Sequence, residues 1–190
     1  NKSEFPALPD LSQAENFSIA SDGFKKMLSN SVFAAAREDS RHVLNGVLMK
    51  VENSNATFIG TDGKRLAKVN TPVELSGEHK YDYLIPLKAV EEIVKSIDSE
   101  APLKISLNPD KIGIESDSIT LITKLLSGEY PDVERVIPKE SEFKLTLHRE
   151  ELMALLKQVA LFTTDKSHSV HFILKSGELT LTANSSEIGE

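Results

Sequence analysis

One strand, one helix and up to three further strands follow one another in the same order three times along this chain of 190 residues. The leading strands begin at Phe17, Tyr81 and Phe143, which are 64 (81 − 17) and 62 (143 − 81) residues apart. A recurring order at a nearly constant spacing indicates a structural repeat, which constrains a fold more than any single motif. The third copy has only two strands after its helix.

The predicted strands are short runs of apolar and β-branched residues, and each predicted helix carries one apolar stripe. Ser21 or Asp22 caps the first helix, and Pro86 fits the first turn of the second. The first-helix stripe is Phe24, Met27, Leu28 and Val32, the second is Leu87, Val90, Val94 and Ile97, and the third is Leu152, Leu155, Leu156 and Val159. The strands are predicted at 17–20, 43–51, 56–60, 64–69, 81–85, 103–107, 111–115, 119–125, 143–147, 169–174 and 178–183.

A repeat of this kind places one helix on one face of a four-stranded, mostly antiparallel sheet, with open edges. Two repeats paired edge to edge, with both helices on the same side, would form a domain of ordinary size. We therefore predict an α+β fold with a linker at 1–16, a two-repeat domain at 17–139 and the first half of another at 140–190. The chain begins with Asn1 and no leader follows, so we expect a piece of a longer protein.

Composition excludes several classes of function. The chain has no cysteine, which excludes disulfides, thiolate metal sites and cysteine catalysis and fits a cytoplasmic protein. No apolar run is long enough to span a bilayer. The net charge of −7 argues against a protein that grips nucleic acid by bulk charge, although cations gathered on one face remain compatible with DNA contact.

No motif for enzymatic chemistry stands out, and we expect no cofactor, no metal and no catalytic residue. The chain contains no P-loop, no Gly-x-Gly-x-x-Gly and no Gly-x-Ser-x-Gly sequence. His168 and His171 are three apart at the start of the predicted strand 169–174, and in an extended chain they would point to opposite faces. Asp39 and Asp62 could form an acid–base pair, but Asp39 is better placed to order a loop and Asp62 to begin a hairpin turn.

The segment 37–66 contains most of the functional signals. Asp62-Gly63 between two apolar runs is a strong hairpin signal. Arg37, Arg41 and His42 lie on a predicted loop that leaves the first helix. Two basic clusters on either side of a small sheet indicate a surface that meets another molecule.

Four motifs give the whole chain a resemblance to the β sliding clamp family, the processivity subunits of bacterial DNA polymerase III. They are FPALPD at 5–10, DSRHVLNG at 39–46, TDGKRL at 61–66 and YPDVERVIP at 130–138. The resemblance makes 17–139 the middle of three domains and 140–190 the first half of the last. It implies a non-catalytic homodimeric ring around duplex DNA, which holds DNA by topology and so tolerates an acidic body.

The resemblance also implies roles for individual residues. Those facing DNA are Lys25, Lys26, Arg37, Arg41, His42 and Lys88. Those of a peptide-docking pocket for the polymerase III catalytic subunit, the clamp loader and repair proteins are Leu44, Thr61, Gly63, Lys64, Arg65, Leu66, Pro131 and Val136. Lys64 departs from the histidine or other aromatic residue that the family often has there. Leu161 and Phe162 would lie at the ring interface, and we expect that the present 190 residues alone do not close a ring.

We expect the two halves of the segment 37–66 to lie apart, with Arg37, Arg41 and His42 facing DNA and residues 61–66 at the far end of the strands. An alternative function is a stand-alone peptide-binding α/β module with no DNA role. The two differ in whether Lys25, Lys26, Lys88 and Arg37 share one side of the fold. A third hypothesis, a hydrolase using Asp39 or Asp62, is the least favoured.

Overall fold

The chain divides into two units, Asn1–Asp132 and Val133–Glu190. In this computed structural model the described residues are 11, 14–52, 54–73, 80–97, 102–116, 118–163 and 169–183. Most of the predicted linker at 1–16 lies outside them, and Glu15 and Asn16 begin the first strand. The boundary between the two units lies after residue 132, whereas the sequence predicted a boundary after residue 139. Residues 133–139 belong to the second unit.

The first unit contains two complete copies of the predicted repeat. The first copy comprises β1 Glu15–Ala20, α1 Ser21–Val32, β2 Gly46–Glu52, β3 Asn55–Thr61 and β4 Leu66–Pro72. The second comprises β5 Lys80–Pro86, α2 Leu87–Ser96, β6 Pro102–Asn108, β7 Lys111–Glu115 and β8 Thr120–Lys124. The predicted order of one strand, one helix and three strands is therefore confirmed in both copies.

The first strand of each repeat joins the sheet of the other repeat. The sheet orders are β1-β6-β7-β8 and β4-β3-β2-β5, and every neighbouring pair is antiparallel. The prediction that each repeat forms its own four-stranded sheet was therefore wrong. Periodicity identifies the strands, but cross-strand packing selects their partners: Phe17 lies opposite Ile105 and Ile19 opposite Leu103, so apolar side chains from both repeats meet on one face.

Both helices pack on the same side of the sheets and against each other. Phe24 and Leu28 of α1 and Val90 and Ile93 of α2 are buried in one core shared with both sheets. In the predicted stripes of α1 and α2, Phe24, Leu28, Val90 and Ile97 are buried, whereas Met27, Val32, Leu87 and Val94 are half-buried against the core. The buried Ile93 was missed. The Phe24 and Phe58 rings meet edge to face with centroids 5.8 Å apart, which joins α1 to β3.

The segment 126–131 crosses the other face of the sheet β4-β3-β2-β5, where Leu126 lies beside Gly46 of β2 and Tyr130 beside Ile59 of β3. Leu48, Ile59 and Leu84 lie side by side on the neighbouring strands β2, β3 and β5 and are buried, although they do not belong to the core beneath the helices. The Leu126 N–H donates to the Leu84 carbonyl at 2.8 Å, which joins the end of β8 to β5. This crossing segment brings residues near 130 to the ends of β2 and β3.

The second unit contains one α-helix, one 3₁₀ turn at Val133–Arg135 and one hairpin in its described residues. The helix is α3 Arg149–Ala160, and the hairpin comprises β9 His171–Lys175 and β10 Glu178–Thr182. The predicted strand at 143–147 was wrong, and the Phe143 side chain is 83% exposed. In the first unit each leading strand pairs with one strand of the other repeat and joins the three strands of that repeat in one sheet. The described residues of the second unit contain no such set of three strands. Leu155 of the predicted stripe is also exposed.

Candidate functional site

The turn between β3 and β4 is built by side-chain hydrogen bonds to its own backbone. The Thr61 hydroxyl accepts from the Gly63 N–H at 3.0 Å and donates to the Arg65 carbonyl at 2.6 Å. Gly63 has a φ of +85°, which glycine adopts without strain. The predicted hairpin is confirmed, although β4 begins at Leu66 rather than at Lys64.

Asp62 fixes the same turn from its first residue. One carboxylate oxygen accepts from the backbone N–H groups of Lys64 and Arg65 at 2.9 and 3.0 Å, and the other accepts from Arg65 Nε at 3.0 Å. The hydrogen bond from the Lys64 N–H is the largest of the effects that lower the pKa of Asp62. Asp62 is thus an ionised turn residue, as the sequence indicated.

The loop after α1 is ordered by Asp39. Its carboxylate accepts from Arg41 through Nε at 2.9 Å, Nη2 at 2.8 Å and the backbone N–H at 2.8 Å. The side-chain hydrogen bond from Arg41 is the main reason that the pKa of Asp39 falls to about 2. Asn45 bonds the backbone of Asp39 in both directions, at 3.0 and 2.9 Å. The expected loop-ordering role of Asp39 is confirmed.

This loop and the β3–β4 turn meet, so the expected separation of the two was wrong. A Cβ built on Gly63 would lie 3.2 Å from Arg41 Nη2. The reason is the antiparallel register: Leu48 lies opposite Ile59, which puts the start of β2 beside the end of β3. The predicted strand at 43–51 also begins late, at Gly46, since residues 42–44 form a 3₁₀ turn.

The crossing segment reaches the same end of the sheet. A Cβ on Gly128 would lie 2.7 Å from Val43 Cγ1. The Tyr130 hydroxyl lies 3.5 Å from the Ile59 carbonyl, and burial raises the pKa of Tyr130 to about 12. Tyr130 therefore anchors the segment that contains Pro131 beside the end of β3. Sequence reasoning gave Tyr130 no role of its own, although it belongs to the motif at 130–138.

The residues predicted for a docking pocket differ in their accessibility. Leu44 is 1% and Thr61 7% exposed, so both lie beneath the surface, and Leu66 is half-buried. Gly63, Lys64, Arg65 and Pro131 are exposed. Val136 belongs to the second unit, where its side chain is 69% exposed. In the first unit the exposed turn of Gly63, Lys64 and Arg65 therefore lies over the buried residues Leu44 and Thr61.

The cations predicted to face DNA form two groups. Lys26 of α1 and Lys88 of α2 are exposed. Lys25 and Arg37 instead connect the two helices: Lys25 Nζ donates to the Ile97 carbonyl at 3.2 Å, and Arg37 Nη2 lies 3.1 Å from Glu91 Oε1. All four are therefore on the helix layer. Arg41 and His42 lie at the loop beside the turn, and sequence reasoning missed Glu91, which no motif contains.

The structure provides fewer observations on the remaining predicted residues. Leu161 and Phe162 follow α3 and are 75% and 40% exposed, and their place at a ring interface stays a prediction. Within the described ranges, no group of three or more histidine, aspartate or glutamate residues could hold a metal ion, and no helix is long and apolar enough to cross a membrane. His168, of the pair His168 and His171 considered above, lies outside these ranges.

Comparisons with known proteins agree on one family. The model of the DNA polymerase III beta subunit, central domain, matches residues 18–132, and that of its C-terminal domain matches 134–190. The beta sliding clamp of Chlamydia pneumoniae is 54% identical over 189 residues, covering 100% of this chain and 52% of that protein. The Pseudomonas aeruginosa relative is 26% identical, covering 97% of this chain and 50% of its own.

Solved structures give the same result. A DNA polymerase sliding clamp from Bacillus subtilis superposes with a TM-score of 0.92 at 25% identity, covering 100% of this chain and 50% of that one. The DNA polymerase III subunit beta from Pseudomonas aeruginosa gives 0.89 at 26% identity, covering 98% and 51%. The chain spans about half the length of the curated relatives it matches.

Proposed function

The chain belongs to the DNA polymerase III β subunit family, and on that premise we propose that it forms the middle domain and part of the last domain of a DNA sliding clamp. In this proposal a cytoplasmic, non-catalytic homodimeric ring encircles duplex DNA. It docks the polymerase III catalytic subunit, the clamp loader and repair proteins through short peptides. The observation that carries the proposal is the family match over 18–132, the unit in which both helices share one side.

The helix layer supports the DNA-facing role. Lys25, Lys26, Arg37 and Lys88 share the side on which α1 and α2 pack, as the clamp hypothesis requires of them. Two of the four are engaged within the layer, which leaves Lys26 and Lys88 best placed to contact phosphates. Such contacts are weak and independent of sequence, which suits a protein that must slide.

Replacing both Lys26 and Lys88 by alanine should weaken binding of a short duplex to the full-length protein and flatten its salt dependence. The slope of log affinity against log salt should become shallower by about 0.9 for each phosphate that the variant no longer neutralises. Fluorescence anisotropy over a salt series measures both. Lys124→Ala is the matched control, because Lys124 is exposed on β8, on the sheet face opposite the core. Equal effects of the control and the double variant would favour the alternative of a peptide-binding module without a DNA role.

The residues at the start of β2 and the end of β3, which we call the docking cluster, support the docking role; they are Leu44, residues 61–66 and Pro131. The exposed turn of this cluster is held rigid by Thr61 and Asp62, and Gly63 lets the Arg41 side chain pack against the turn. Leu66 supplies partly exposed apolar surface and Arg65 a charge at the rim. A preformed site of this kind lowers the entropic cost of binding a short flexible peptide.

Leu66→Ala should weaken binding of a short apolar clamp-binding peptide to the full-length protein by about tenfold, since it removes buried contact area. Isothermal titration measures the change. Leu174→Ala is the matched control, because Leu174 is 60% exposed on β9 and has no predicted docking role. Val136→Asp tests the second unit's predicted contribution in the same assay. Unchanged affinity in both Leu66→Ala and Val136→Asp would contradict the pocket assignment.

A further inference from the structure

A cavity of about 330 Å³ lies between the loop after α1, the β3–β4 turn and the start of α2. Its apolar lining comes from Val32, Phe33, Ala35 and Leu87. The cavity is separate from the docking cluster, but both include part of the β3–β4 turn. Asp62 and Arg65 of that turn line the cavity. All of its lining residues belong to the first unit.

The walls of this cavity are fixed by backbone hydrogen bonds. The Ala36 N–H donates to the Leu44 carbonyl at 2.9 Å, and the Leu87 N–H donates to the Asn45 carbonyl at 2.9 Å. Asn45 in turn holds the backbone of Asp39. The loop, the start of α2 and the 3₁₀ turn are therefore tied together, and the cavity is preformed.

Charges around the cavity are matched in pairs, with one exception. Arg37 pairs with Glu91 at 3.1 Å, Asp39 with Arg41 at 2.8 Å and Asp62 with Arg65 at 3.0 Å. Both arginines of the lining are thus engaged by carboxylates. Glu38 lines the same cavity and makes no ion pair or hydrogen bond with any described residue. Among the described residues, the one lining charge without an ion pair is therefore negative.

Phe33 adds a second feature that favours a cation. Its ring is 59% exposed although its neighbours Ala34 and Ala35 are buried. The face of an aromatic ring attracts ammonium and guanidinium groups, and a nearby carboxylate adds to that attraction. A phosphate would meet three carboxylates and no free arginine of the lining. An uncharged apolar group would desolvate Glu38 without compensation.

We propose that this cavity binds the side chain of a lysine or arginine in a partner peptide, with its aliphatic stem on the apolar floor and its charged end between Phe33 and Glu38. The inference rests on the proposed function, because the peptide reaches the cavity from the docking cluster across the shared turn. The cavity then selects partners that carry a basic residue beside their apolar motif.

The cavity is first tested without any peptide, with n-butylguanidinium as the probe. Full-length protein labelled with ¹⁵N-phenylalanine should show a saturable shift of the Phe33 amide signal with this probe. The same concentrations of n-butanol or inorganic phosphate should leave the signal in place. A response to phosphate instead of guanidinium, or to none of the three probes, overturns the proposal.

Peptides then test whether the cavity contributes to docking. Two series carry the same apolar motif and differ only in a lysine or an alanine placed after spacers of increasing length. With the spacer length that gives the tightest binding, the lysine peptide should bind about fivefold more tightly than the matching alanine peptide. Glu38→Gln and Phe33→Leu should each remove most of that advantage, whereas Glu92→Gln, an exposed carboxylate of α2 outside the lining, should retain it.

The outcomes separate this inference from the proposed function. If no spacer gives lysine an advantage, or if the advantage survives Glu38→Gln, the cavity assignment is wrong while docking stands. If the alanine peptides do not bind at all, the docking function itself fails, and the guanidinium titration still decides whether the cavity takes a cation.

Discussion

Phe58→Ala should lower the free energy of unfolding of the first unit by about 3–5 kcal/mol. Phe58 is fully buried on β3, and its ring meets Phe24 of α1 edge to face. Removing the ring leaves a cavity between the helix layer and the sheet and also removes the aromatic contact. The loss is a large fraction of the stability of an ordinary domain.

Urea denaturation followed by tyrosine fluorescence measures this loss in the relevant unit alone. All three tyrosines, Tyr81, Tyr83 and Tyr130, belong to the first unit. Phe143→Ala is the matched control, because Phe143 is 83% exposed in the second unit and should leave the midpoint unchanged. A Phe58→Ala midpoint equal to that of the control would show that the ring pair does not support the core.

Gly60→Ala should destabilise the same unit by about 1–3 kcal/mol, although it adds only one methyl group. A Cβ at Gly60 would collide with the backbone carbonyl of Ser31, and it would lie 3.3 Å from the backbone nitrogen of Ala35. Because both neighbours are backbone atoms, no side chain can rotate away, and the end of α1 must move off β3. The loop that carries Arg37 to Arg41 follows that helix end directly.

Gly23→Ala provides a control of opposite sign. A Cβ at Gly23 would meet no atom within 4 Å, and the residue lies in α1, where alanine is the better helix former. We expect a gain of about 0.5 kcal/mol in the same urea assay. If the two substitutions shifted the midpoint in the same direction, close packing of α1 on Gly60 would not be what makes that glycine necessary.

The sequence predicted local structure well wherever the pattern was long or the turn chemistry specific. The strand at 111–115 was predicted to the residue, and Asp62-Gly63 forms the expected hairpin turn. The start of β2 was misplaced because Val43 and Leu44 are apolar and β-prone, yet Leu44 is buried within a 3₁₀ turn. Apolar residues in a sequence indicate burial, but a buried residue can lie in a strand or in a turn, so apolar character alone does not distinguish the two.

The candidate site shows where sequence reasoning failed. In the consecutive antiparallel strands β2, β3 and β4, the start of β2 must lie beside the end of β3 and therefore beside the β3–β4 turn. That rule alone would have placed Arg41 near Gly63, but the two were assigned to opposite ends. The pairs Arg37–Glu91 and Asp39–Arg41 had no comparable signal, because ion pairing depends on side-chain distances rather than on residue type.

The sequence alone determined the repeat, the α+β class and the family, since strand and helix periodicity and the motifs at 39–46 and 61–66 are local properties of the chain. Only the tertiary structure decided that β1 and β5 exchange sheets and that the loop at 37–41 meets the β3–β4 turn. It also decided that, among the residues that the structure describes, Arg37, Asp39, Asp62 and Arg65 of the cavity lining have ion-pair partners and Glu38 has none. The physical reason is that strand partners and charge pairs are selected by contacts between residues distant in the chain, which local patterns do not encode.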